Sequence, residues 1–185
     1  MAAIHQVLHI PATGDSLEFI ETAASSQGAC VKTRATFRRG GLRVTRHIHL
    51  HQDECFEVES GQLTYRVGDK HGVAGPGETV MMPRQVPHEH YNAGDTDLVV
   101  IQTVTPALDF DLFLDTAYGK AGEGMPFFGP GAILQGFLTM SSMKSQIVVA
   151  ALPAGLQLLI ARVMTPVARR LGFRAVYRRF SDVEW

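Results

Sequence analysis

The chain has 185 residues, 45% of them hydrophobic and 19% charged, with a formal net charge of −1. That length and balance describe one globular domain, or one domain with an appendage, large enough to bury a core. Cys30 and Cys55 are the only cysteines, which excludes a disulfide framework and suits a reducing, cytoplasmic setting.

The opening residues "MAAIHQVLHIPATGDS" lack a basic segment followed by a long apolar core, so no signal peptide is expected. Charge is unevenly spread. Residues 1–123 carry 10 basic and 16 acidic side chains, a balance of −6, whereas residues 124–185 carry 7 and 2, a balance of +5.

"HQVLHI" alternates apolar residues and has no obvious strand partner close in sequence. "VKTRATFR" (31–38) sets Val31, Thr33, Ala35 and Phe37 against Lys32, Arg34, Thr36 and Arg38, the period of a half-buried strand. "QLTYRV" (62–67) repeats the pattern between Gly61 and the turn-forming "GDKHG". "ETVMMP" and "DLVVIQTVTP" are further short apolar runs, with Gly-Gly, Gly-Pro-Gly and Asn-Ala-Gly-Asp between them. Closely spaced short strands, with no helical period between residues 31 and 105, predict an all-β sandwich or barrel.

From residue 106 the period changes. Phe110, Phe113, Leu114 and Ala117 share a helical face, with Gly119 as the expected stop. "GAILQGFLTM" is ambiguous. Residues 153–171 read as a helix kinked at Pro166 and stopped by Gly172. The uncharged run 146–161 contains Pro153 and Gln157 and falls short of the ~18 apolar residues of a spanning helix. It reads as a buried helix, not a membrane span. The expected organisation is a barrel with N-terminal strands over residues 1–105 and a helical extension over residues 106–185, packed on the barrel or on a partner subunit. The Val, Leu and Ile residues of the 153–171 helix are expected to cover the barrel or a partner subunit, with Arg162, Arg169, Arg170, Arg174, Arg178 and Arg179 in solvent or paired with the acidic barrel portion rather than with a membrane.

The stretch "RHIHLHQDECFEVESG" (46–61) carries the chemistry. In a strand, His47 and His49 point to one face, about 6–7 Å apart. A turn then brings Glu54 beside them, with Phe56 and Val58 on its face. Two imidazoles and a carboxylate form a facial set suited to Fe, Mn, Ni, Co or Zn. The same residues also fit three exposed histidines in a turn. His51 lies in that turn and reads as solvent-facing, and Cys55, of opposite parity to Glu54, reads as a small filler. A second stretch, "GPGETVMMPRQVPHEHYN" (75–92), places His88, His90 and Asn92 on one strand face and offers His88 as a fourth ligand.

Together these stretches resemble the cupin superfamily. Its first motif, Gly, five residues, His-x-His, four residues, Glu, six residues, Gly, is met by Gly41, His47, His49, Glu54 and Gly61. Its second, Gly, five residues, Pro-x-Gly, two residues, His, three residues, Asn, is met by Gly77, Pro83, His88 and Asn92. Gln85 stands where the family has Gly. A left-handed residue there would cost Gln about 1–2 kcal/mol, so the turn is expected to be rebuilt.

The resemblance covers about residues 31–105 and implies a mainly β, jelly-roll barrel (a double-stranded β-helix), to which the helical period after residue 106 adds a C-terminal helical extension. It implies one divalent transition metal held by His47, His49, Glu54 and His88. It also implies a small-molecule substrate and an oxygenase of quercetin-dioxygenase type. A non-oxidative cyclase or isomerase, or a non-catalytic binding cupin, are the alternatives. Glu54 is the candidate base. His90 is either a second acid–base group or a ring stacked in the barrel wall, and Phe56 and Tyr65 read as barrel core. A homodimer is expected, with the N-terminal strand or the C-terminal helices at its interface. The chain has no G-x-S-x-G, phosphate-binding Gly-Lys-Ser/Thr or CxxC, and no basic and aromatic interleaving of the kind that binds nucleic acid.

Overall fold

A computed structural model describes residues 2–125 and 129–177. The strands run in chain order as β1 (Val7–Ile10), β2 (Asp15–Glu21), β3 (Val31–Phe37), β4 (His47–His49), β5 (Asp53–Ser60) and β6 (Leu63–Val67). Then follow β7 (Lys70–Ala74), β8 (Thr79–Met82), β9 (His88–Asn92), β10 (Leu98–Thr105) and, beyond two helices, β11 (Ile147–Val149). The helices are α1 (Phe110–Gly122), α2 (Pro130–Ser142) and α3 (Ala154–Arg170). Two antiparallel sheets, ordered β1-β2-β3-β10-β5-β8 and β11-β4-β9-β6-β7, form the jelly-roll barrel, with the helices as a C-terminal extension.

Alternation builds the interior. β3 buries Val31, Thr33, Ala35 and Phe37, and β10 buries Leu98, Val100, Gln102 and Val104. One apolar cluster, with Phe37, Phe56, Leu63 and Leu98, fills one end. A second, with Phe19, Val104, Phe110 and Leu114, joins the other end to α1. Fully burying Phe56 or Leu98 stabilises the fold by about 1.5–3 kcal/mol each.

Two motif glycines have steric reasons. Gly61 takes φ +80°, and a Cβ there would lie 2.4 Å from the Asp97 carbonyl oxygen. A Cβ on Gly41 would lie 2.3 Å from Asp15 Oδ1. The close approach lets the buried Asp15 carboxylate accept the Arg38 and Leu42 amides at 2.7 and 2.6 Å. Asn92 likewise donates to the Phe37 and Thr96 carbonyls and accepts from the Gly94 amide, tying β9 to the next loop.

Several expectations are corrected. The N-terminal strand has a partner close by, since β1 pairs with β2. Only the first part of "GDKHG" turns, and β7 begins at Lys70. Gly119 does not stop α1, which runs on to Gly122. Residues 146–161 are not one buried helix: Ile147–Val149 is a strand paired with β4, and the helix starts at Ala154. The reason is the open edge of β4, which needs hydrogen-bonding partners that local periodicity does not reveal.

α3 continues through Pro166 to Arg170. It buries Gln157, Ala161 and Ala168 but leaves Leu156, Leu159, Val163 and Val167 exposed. Arg162, Arg169, Arg170 and Arg174 are exposed and form no ion pair among the described residues, so the expected pairing with the acidic barrel is absent for these four. Arg178 and Arg179 lie outside the described residues. Among those residues, no helix is long and apolar enough to cross a membrane.

Gln85 is the remaining correction. It takes φ +63°, so the turn keeps the left-handed conformation instead of being rebuilt. Its amide donates to the His49 carbonyl at 2.8 Å, which ties this strained turn to a strand carrying two site histidines.

Candidate metal centre

Strand parity turns His47 and His49 inward from β4, His88 inward from β9 and Glu54 inward from β5. β4 and β9 belong to one sheet, with His47 paired to His88, and β5 belongs to the other. The imidazoles therefore face the carboxylate across the barrel. Ring centroids lie 4.4 Å apart for His47 and His88, 5.1 Å for His47 and His49, and 5.3 Å for His49 and His88. His88 Nε2 lies 3.3 Å from Glu54 Oε2. One ligand atom from each of the four falls within 4.8 Å of all the others, so this cluster could hold a metal ion.

Hydrogen bonds orient the rings. Nδ1 of His47 donates to the Thr45 carbonyl at 2.8 Å, and Nδ1 of His88 to the Val86 carbonyl at 2.9 Å. A carbonyl only accepts, so the proton sits on Nδ1 and the Nε2 lone pair is left for a ligand bond. Glu54 Oε2, His88 Nε2 and His49 Nδ1 are buried with no hydrogen-bond partner. Leaving such groups unmet is costly unless something binds them. Three orphaned polar atoms among four converging side chains fit a cation.

The protonation states agree with that fit. Burial pushes His47 down to about 3 and His90 down to about 4, and it lowers His49 as well. Burial alone would raise the Glu54 carboxyl. The contact with His88 and the neighbouring imidazoles outweigh it and hold the group below the usual carboxylate range. Near neutral pH the cluster thus presents His47, His49 and His90 neutral and Glu54 ionised, the forms that ligate a divalent metal.

Residues 33–104 match the family model described as "Cupin domain". Residues 33–104 carry a cupin domain. Solved structures similar to this chain include KdgF from Halomonas sp., 19% identical, covering 58% of this chain and 92% of that one at a TM-score of 0.50. A cupin-like protein from Thermotoga maritima is 23% identical, covering 51% of this chain and 70% of that one at 0.46. A predicted oxalate decarboxylase from Thermotoga maritima is 16% identical, covering 50% and 80% at 0.47. At these identities the likeness concerns the fold. No curated protein sequence matches the chain.

Within the cupin barrel, His90 stands apart from the four-residue cluster. Its ring lies 4.4 Å from Phe56 and 5.7 Å edge-on from Phe37, and its Nδ1 is buried without a partner. It stacks in the wall and also lines the pocket. Phe56 is core, and Tyr65 packs against the same cluster. His51 is exposed and contacts the Gln146 side chain at 3.2 Å. Cys55 faces away from the cluster, half-buried, beside Thr103 and Met81.

Gln102 was not among the predicted site residues. Its amide donates to Glu54 Oε1 at 2.5 Å, while its carbonyl accepts the Thr33 hydroxyl at 3.1 Å. The Thr33–Gln102–Glu54 chain fixes one carboxylate oxygen and leaves the other turned to the histidines. The signal was present: Gln102 has the inward parity of Val100 and Val104 and is the one polar member of that row.

The cluster opens on a pocket of about 280 Å³ lined by Phe37, Leu42, Phe110, Leu114 and Tyr118 among others. α1 supplies Phe110, whose ring sits 5.6 Å from His49, and Tyr118, whose phenol burial pushes up so that it stays a neutral hydroxyl. Nothing in the spacing of the two motifs pointed to this helical wall.

Proposed function

We propose that this cupin binds one divalent transition metal, Fe, Mn, Ni, Co or Zn, through His47, His49, Glu54 and His88. It uses the site as an oxygenase-type, quercetin-dioxygenase-like enzyme on a small organic substrate. The observation that carries the reading is the set of orphaned buried atoms, Glu54 Oε2, His88 Nε2 and His49 Nδ1, beside a mostly apolar pocket that His47, His49 and Glu54 line.

A metal bound there supplies a Lewis-acidic centre, and Fe, Mn or Ni adds redox chemistry. The chain's own residues do the rest. Glu54, held ionised, accepts the proton of a substrate hydroxyl, and Gln102 keeps its carboxylate in register by holding Oε1. Phe110, Phe113 and Leu114 from α1 line the pocket beside the histidines and keep water from it. Tyr118 donates a hydrogen bond to a substrate oxygen without losing its proton.

His90 supports a second reading. A buried, neutral imidazole with a free Nδ1 can relay a proton from one carbon or oxygen of a substrate to another. That suits a non-oxidative cyclase or isomerase.

Elemental analysis of the protein as purified, followed by oxygen-uptake assays with flavonols and other enols, tests the proposal. Stoichiometric Fe, Mn or Ni with oxygen uptake supports the oxygenase. Tight Zn without uptake supports the cyclase, isomerase or binding reading. No stoichiometric metal under any loading condition refutes both.

A further inference from the structure

A second cavity, of about 300 Å³, lies among α1, α2 and β11, outside the barrel. Its wall is mostly apolar, with Ala121, Met125, Gly136 and Met140. Phe113, Ala117 and Ile147 line this cavity and the histidine pocket alike. The two spaces are thus separated by a wall one side chain thick. Ile147 lies opposite His49 in the β-ladder, and Phe113 stacks on Phe110, which in turn touches His49.

One polar group is left unsatisfied there. The Ser145 side chain is 1% exposed, lines this cavity, and its hydroxyl has no hydrogen-bond partner. The backbone of the same residue is fixed, its amide donating to Asp109 Oδ1 at 2.7 Å. An unmet hydroxyl in an apolar cavity is costly unless a ligand atom meets it.

Resting on the reading of the histidine pocket as the reaction site, we infer that the substrate is an elongated amphiphile. Its polar head lies at His47, His49, Glu54 and His88, and its mainly hydrocarbon chain passes Phe113 into the cavity between α1 and α2. Each space alone sits at or below the lower end of the ~300–1,000 Å³ range of small-molecule sites, and the two joined fall inside it. At ~30 Å³ for a water-sized atom, the second cavity holds a chain of about ten non-hydrogen atoms. An ether or carbonyl oxygen in that chain would accept the Ser145 hydroxyl.

The test is a binding series with 4-methyl-, 4-butyl- and 4-octylcatechol, measured by calorimetry on the protein as purified. Burial of each added methylene, worth about 0.8 kcal/mol, should tighten binding about three- to fourfold. Gly136→Leu should abolish the gain for 4-octylcatechol and leave 4-methylcatechol unchanged. A Cβ at Gly136 meets nothing within 4 Å, and Leu is the better helix former, so the variant fills the cavity without threatening the fold. Among octyl probes with an ether oxygen moved along the chain, one position should bind tighter to wild type but not to Ser145→Ala.

Affinity independent of chain length, a length dependence that survives Gly136→Leu, or no binding by any member overturns the inference. Chelator-treated protein separates the two readings. Loss of affinity common to the whole series places the head at a metal. Unchanged affinity with the length dependence intact sinks the metal-site reading and leaves the cavity assignment standing.

Discussion

Ile147 lies directly across from His49 in the antiparallel ladder between β11 and β4. A residue of the C-terminal extension thus covers the edge of the strand that carries two site histidines. Val148, on the same strand, packs with Met140 and Ala161 and against Ile48 and Leu50. Truncation after Gly131 removes nearly all of α2 together with β11 and α3, and so uncovers the edge of β4 and the Ile48 and Leu50 side of this apolar cluster. We expect the truncated protein to aggregate and to lose its metal, as read by size-exclusion chromatography and elemental analysis. A soluble, metal-loaded truncation would show that the barrel holds its site alone.

His47→Ala, His49→Ala and His88→Ala each remove one of four converging donors and should each strip most of the bound metal. His51→Ala should not, because His51 is exposed and directed at Gln146. Metal content after dialysis against a weak chelator checks this. A His51→Ala protein that empties while His47→Ala stays loaded would put the site elsewhere.

Gln102→Leu keeps the volume of the row but removes the donor to Glu54 Oε1 and the acceptor for Thr33. Losing such a supporting contact typically costs 10–100-fold in metal affinity. Competition with a chromophoric chelator should show a loss on the order of tenfold or more, with Gln102→Glu failing to restore it because it sets a second carboxylate against Glu54.

Gln85→Gly relieves a left-handed residue at φ +63°. The strain released, about 1–2 kcal/mol, exceeds the entropy that glycine adds to the unfolded chain, about 0.5–1 kcal/mol. A net stabilisation of up to about 1.5 kcal/mol should appear as a higher urea midpoint at unchanged slope. Gln85→Val, β-branched, should lower the midpoint.

Acid should weaken the metal-free protein well before ordinary carboxylates titrate. His47 and His90 are pushed from 6.5 down to about 3 and about 4 by burial, so the unfolded chain takes up their protons first. Their contribution is complete above about pH 6.5 and is lost as pH falls toward the folded values. Each imidazole gives up about 1.4 kcal/mol per pH unit within that window. Glu54, lowered in the folded state, acts in the same direction further down the scale. Urea midpoints at pH 7.5 and 5 should differ clearly, and His90→Phe should shrink the difference. A midpoint flat across this range would mean that the rings are not buried neutral.

The sequence by itself determined the features that depend on neighbours along the chain. The alternation of Val31, Thr33, Ala35 and Phe37 defines β3, and the two-residue spacing of His47 and His49 places both on one face, because strand parity is a local property. The same parity carries Glu54 and His88 inward, and Gln102 was legible there as the polar break in an apolar row. Tertiary structure alone decided the rest. Ile147–Val149 became a strand because β4 had an open edge, overriding the apolar run that read as helix. Gln85 stayed left-handed because its amide is held by the His49 carbonyl. α1 became the wall of the pocket because Phe110 and Leu114 found the barrel end lined by Phe19 and Val104. Each of these joins segments far apart in the chain. Which surface remains uncovered, and what covers it, is settled only when the whole chain has packed.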